Sequence, residues 1–198
     1  MKKKLPLVIF FFVFILGFWV WFQRVIKRQR EIPVKKEVIE EIKRRIEEID
    51  KIARNSESPE KAIKESKKAI FQLTFIGSPG ASYLITSSLD KKRHRFARVI
   101  YLQILAAIES RKAISSFAFI LKNDSDYLLR MQSAISLSMI KDERVILPLK
   151  EGLFDKEMVV KVASATGLIK MGRKDLVDQA SKNDLSLKMY LEKWQQGF

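Results

Sequence analysis

Residues 129–172 read LRMQSAISLSMIKDERVILPLKEGLFDKEMVVKVASATGLIKMG, one motif written almost twice. Leu129-Arg130, Ala134, Leu137 and Ile140 return as Val160-Lys161, Ala165, Leu168 and Met171, each 31 residues further on. A polar turn, Lys141-Asp142-Glu143, and a shorter apolar run from Val145 to Leu153 separate the copies. A single helical pair cannot bury its apolar face alone, so a fixed period of this size built from two helical segments is the mark of an α-solenoid.

The period extends towards the N-terminus. Ile76, Ile108, Ile140 and Met171 form one column, and Leu73, Leu105, Leu137 and Leu168 a second. Ala81, Ala113, Val145 and Leu176 form a third, Ile85, Phe117, Leu149 and Ala180 a fourth, and Leu89, Leu121 and Leu153 a fifth. Every position in these columns is apolar in a chain that is 47% apolar. Each unit is predicted as a longer helix, a turn and a shorter helix. The longer helices fall near 59–76, 92–108, 126–140 and 157–171, and the shorter near 80–89, 112–122, 143–154 and 174–181. A last helix from Asn183 to Gln196 sets Leu187, Tyr190, Leu191 and Trp194 on one face, the pattern of a terminal cap.

The stretch 126–172 resembles the short HEAT-like repeats of the phycobilisome-lyase type, with their V-R-x-x-A-A-x-A-L-x-x-I-x-D, charged turn, A-I-x-x-L and L-x-D. The match is fair over 95–124 and weak over 59–89, where Ser66 stands at the basic position and Gly77-Ser78-Pro79-Gly80 makes the turn. Such repeats serve many functions, so the resemblance implies fold more than role.

Before the repeats, Leu5 to Phe22 is an uncharged apolar run, LPLVIFFFVFILGFWVWF. It spans roughly 27 Å as a helix, close to the hydrocarbon thickness of a bilayer. Trp19, Trp21 and Phe22 stand at one end, and no small-x-small cleavage site follows. The reading is an uncleaved anchor, and the denser basic flank after it favours a cytoplasmic repeat domain. Pro33 breaks the helix. From Val34 to Ala53 an amphipathic helix follows, with Val38, Ile42, Ile46, Ile49 and Ala53 on one stripe, read as a cap on the first repeat or as a short coiled coil.

The expected organisation is therefore a transmembrane anchor with basic flanks (1–30), a charged amphipathic connecting helix (31–57), HEAT-like repeats (58–182) and a C-terminal capping helix (183–198). The fold class is all-α: a short α-solenoid of about four helical-hairpin repeats, preceded by one transmembrane helix and a connecting helix.

The chain has no Cys and one histidine, His94, so thiol chemistry, a histidine triad and a multi-histidine metal site have no material. Gly77-Ser78-Pro79-Gly80 lacks the spacing and the lysine of a phosphate loop. From these absences neither a cofactor nor a small-molecule substrate is expected, and the chain reads as a non-enzyme. Its net charge of +15 divides into nine Lys/Arg against one Glu in 1–36 and a surplus of +8 in 57–198. The densest basic cluster of the repeats is Lys91, Lys92, Arg93, Arg95 and Arg98, placed after Asp90 as N-cap, in a first helical turn where cations oppose the helix dipole. It reads either as solvated surface or as a contact for anionic lipid, an acidic partner or nucleic acid. Arg98, Arg130 and Lys161 share one repeat position, as a basic ladder or as heads paired to nearby carboxylates. The function expected is that of a single-pass membrane-anchored, non-catalytic scaffold or adaptor binding a protein partner. The alternative is nucleic-acid or anionic-lipid binding through the basic repeat surface.

Overall fold

The computed structural model describes residues 35–185, 187–189 and 192. Among them all regular structure is helical, and no strand occurs. The helices are α1 (Lys36–Arg54), α2 (Pro59–Glu65), α3 (Lys67–Ile76), α4 (Ala81–Leu89), α5 (Arg95–Ala107), α6 (Ile114–Asn123), α7 (Tyr127–Ser138), α8 (Ile146–Gly152), α9 (Met158–Lys170) and α10 (Lys174–Ser181). Residues 37–198 form one compact unit, while the other, 1–36, is described only at its last two residues. The apolar run 5–22, Pro33 and the cap residues Tyr190, Leu191 and Trp194 lie outside the described residues.

The apolar columns become the core. Leu73, Leu105, Leu137 and Leu168 are wholly buried, as are Ala113 and Val145, Phe117 and Leu149. The longer helices α3, α5, α7 and α9 pack each on the next, and the shorter α4, α6 and α8 form a parallel row beside them. Each shorter helix also packs on the longer helix of the following repeat. Short 3₁₀ turns, Ser78–Gly80, Arg111–Ala113 and Glu143–Val145, run straight into α4, α6 and α8. Leu187, at the predicted cap, is fully buried.

Two boundaries differ from the sequence reading. The first long helix is interrupted at Ser66, although the Ser66 N–H still donates to the Ala62 carbonyl (3.0 Å) and its carbonyl accepts from Ile70 (2.9 Å). The second long helix starts at Arg95, not at 92. Asp90 does not cap it: its Oδ1 accepts the Lys92 N–H (2.9 Å) and closes a turn, and His94 takes the N-cap. Lys91, Lys92 and Arg93 therefore precede the helix, and of the cluster only Arg95 and Arg98 lie within it.

Repeat 1 also shows how the array ends. Ala97, Leu129 and Val160 are buried against the preceding repeat, as are Ile100 and Ile104, or Gln132 and Ser136. The matching positions in repeat 1 are Glu65, Lys68 and Gln72, none fully buried. A polar outer face is what a terminal repeat needs.

Candidate interaction surface

The five cations of the cluster have separate fates. Lys91 and Lys92 are exposed, and neither makes an ion pair. The Arg93 guanidinium donates to both carboxylate oxygens of Glu47 on α1 (2.5 and 2.7 Å). Arg95 pairs with Asp126 (3.1 Å) and stacks over the Phe96 ring. Arg98 is buried, its Nε donating to the Ser88 carbonyl (2.7 Å) and its Nη2 to Asp124 (2.5 Å). Only Lys91 and Lys92 keep their charge unpartnered, because the other three are engaged in holding helices together.

Around Arg93 a polar junction fastens α1 to the repeats. Asp50, 6% exposed, accepts the His94 backbone N–H (2.8 Å) and the Arg54 guanidinium (2.9 Å). Arg54 also donates to the Lys92 carbonyl (2.8 Å), and the buried Tyr101 hydroxyl donates to the Ile46 carbonyl (2.9 Å). The Arg93 hydrogen bonds hold the Glu47 carboxyl below its ordinary range. Burial, reinforced by the charge of Asp50, pushes the Tyr101 phenol well up. Burial likewise holds the His94 imidazole below its usual value, favouring the neutral ring.

The basic ladder is a set of internal ties. Arg98 reaches Asp124, Arg130 reaches Asp155 through two bonds (2.7 and 3.0 Å), and Lys161 reaches Asp184. Each aspartate also accepts a backbone N–H at the start of the next long helix: Asp124 from Asp126, Asp155 from Glu157, Asp184 from Leu187. One residue pair thus binds the body of one long helix to the first turn of the next. In repeat 1 the tie is missing. Ser66 replaces the cation, and its buried hydroxyl has no partner.

With the cations largely neutralised, exposed apolar side chains are the surface's distinguishing feature. Phe71 and Phe75 on α3 are 71% and 85% exposed, their rings stacked at 6.4 Å between centroids. Ile135 on α7 and Met139 at its C-cap occupy the equivalent positions and are also exposed. On the side of the shorter helices Phe119 and Leu147 are exposed, and the exposed Phe154 lines a shallow cleft of about 390 Å³ with Leu121, Lys122, Pro148 and Glu151. Sequence reasoning centred on core columns and charge missed all of these. The i, i+4 spacing of Phe71 and Phe75, off every core column, was the available signal.

Helical hairpins stacked in register and tied between successive long helices define a HEAT-like repeat protein. The chain is similar to the structure of the complex of CpcE and CpcF of phycocyanin lyase from Nostoc sp. PCC7120, with a TM-score of 0.57 and 16% sequence identity. The match covers 73% of this chain and 96% of that one. No protein-family model and no curated protein matches the sequence.

Two expectations are corrected by these findings. Reading the chain as a non-enzyme does not stand, because the fold it shares is that of a complex belonging to a lyase. The lack of a histidine triad was also weak ground, since carboxylates and tyrosine serve as general acids and bases. The single-pass membrane location is not supported: among the described residues, which leave out the run 5–22, no helix is long and apolar enough to cross a membrane. Membrane and lipid partners are not supported by these findings either.

Proposed function

We propose that this chain is a HEAT-like protein-interaction module that works in complex with a protein partner. The observation that carries the reading is the exposure of large apolar residues at equivalent positions of different repeats, Phe71 with Ile135 and Phe75 with Met139. Repeat 2 carries Gln103 and Ala107 at these positions, so the stacked Phe71 and Phe75 rings make one exposed apolar patch and Ile135 with Met139 another, and such patches mark interaction sites. The similar solved structure is itself a complex of two different chains, which supports the same reading. Nucleic-acid binding has less support, because Arg93, Arg95 and Arg98 are each paired to a carboxylate.

The test is site-specific photocrosslinking in cells, with the crosslinking amino acid placed in turn at 75, 139 and 147. One protein captured reproducibly at any of these sites is the expected result. Captures no different from those of a crosslinker at the polar position Glu143 overturn the reading.

A further inference from the structure

We infer that Lys64, Lys68, Phe71 and Phe75 form a docking seam for an acidic amphipathic helix of the partner, carboxylates towards the lysines and apolar side chains over the rings. This rests on the interaction reading above and adds the surface and the chemistry of what it takes.

The spacing is the first support. These residues stand at i, i+4, i+7 and i+11, so they form one line about 16 Å long on a helical surface. The hydrogen bonds through Ser66 carry the helical path across the α2–α3 junction. Such a line is the seam along which a second helix packs lengthwise.

The second support is position in the array. Lys68 and Gln72 correspond to Ile100 and Ile104 of repeat 2, which are buried where a preceding long helix covers them. Among the described residues no repeat precedes the first, and α1 meets the repeats at Gly80 and Tyr101. A helix docked at Lys68 takes the place of a preceding long helix and meets Phe71 and Phe75 at its edge, since their counterparts Ile135 and Met139 stay exposed beside α5.

Charge decides which helix. Lys64, Lys67 and Lys68 are exposed, make no ion pair, and outnumber the exposed Glu60 and Glu65 beside them. They call for carboxylates opposite. A second copy brings a net charge of +15 towards +15, and residues 1–36, with nine Lys/Arg to one Glu, have the wrong sign. The two rings supply aromatic anchors of the kind that dominate helix-in-groove interfaces.

The experiment uses the full chain and two labelled synthetic helices, each of about 18 residues with a leucine seam. One carries glutamates beside the seam, and its twin carries lysines. Fluorescence anisotropy at low salt is expected to show the glutamate helix binding at least about ten-fold tighter than its twin. Phe71→Ala with Phe75→Ala weakens it at least about ten-fold, and Lys64→Glu with Lys68→Glu inverts the preference. These side chains are exposed, so circular dichroism should be unchanged in all variants. No binding of the glutamate helix, equal binding of the two, or indifference to the phenylalanine pair overturns the inference. So does a self-association in sedimentation that the phenylalanine pair abolishes, which puts a second copy on the seam. Partner capture at 147 with none at 75 would leave the interaction reading standing and remove this seam alone.

Discussion

Glu109 holds φ at +48°, a left-handed conformation costly to any residue with a Cβ. The equivalent turn positions of repeats 1 and 4 are Gly77 (φ 70) and Gly172 (φ 73). Ser110 N–H donates back to Leu105, as Arg173 does to Leu168, so both turns close with the same six-residue bond. Glu109→Gly is therefore expected to raise stability by up to about 1 kcal/mol in urea unfolding. Arg130 is the opposite case. It is 4% exposed, paired to Asp155, and donates as well to the Asp124 and Ser125 carbonyls. Arg130→Ala strands a buried carboxylate and should cost about 3–5 kcal/mol, whereas Arg144→Ala, at an exposed pair, should be near neutral. Burial alone would raise the Asp155 carboxyl, but Arg130 and the Glu157 N–H bring it below its ordinary 3.8. As pH falls the unfolded chain takes up this proton first. The tie's contribution is intact above about pH 4 and lost as pH drops through the folded value. Asp155→Asn should flatten that acid limb in a stability–pH series.

At the scale of elements, α1 is held by an apolar stripe and a polar junction. Ile42, Ile46, Ile49 and Ala53 are buried, and Asp50 and Tyr101 make the junction. Asp50→Ala leaves the His94 N–H without its acceptor. A loss of about 1–3 kcal/mol is expected, with faster proteolysis within 36–54 as the sign that α1 loosens first. Between α8 and α9 the fit is tighter. A Cβ at Gly152 would fall on the Ser164 hydroxyl and lie 3.3 Å from Leu121. Gly152→Ala should destabilise by about 1–3 kcal/mol in chemical denaturation. Ser164→Ala should be near neutral by the same measurement, since that buried hydroxyl has no partner to lose.

Across the whole molecule, each repeat touches chiefly its neighbours. Stability in such an array is close to a sum of nearest-neighbour terms, so its ends should open before its middle. Amide hydrogen exchange is expected to show the greatest protection in α5 and α7, which have long helices on both sides, with less in α3 and α10. Uniform protection from α3 to α10 would contradict this.

The repeat, its period and its core were legible because burial in a solenoid is local and periodic. Leu73, Leu105, Leu137 and Leu168 announce themselves by spacing, and the structure buries each of them completely. The one-residue turns that shape the ends were less so: a side chain such as Asp90 reads as an N-cap, and whether it caps a helix or closes a turn depends on neighbours. The candidate surface was the least legible part. Lys91 to Arg98 looks like one basic patch in the sequence, yet the carboxylates that engage Arg93 and Arg98 lie 46 and 26 residues away. Charge counted along a chain contains no information about which charges face each other. By itself, then, the sequence determined an all-helical array of hairpins, because apolar periodicity dictates burial. Only the tertiary structure decided which cations are spent as ties and which apolar residues stay outside, because both depend on contacts between distant helices.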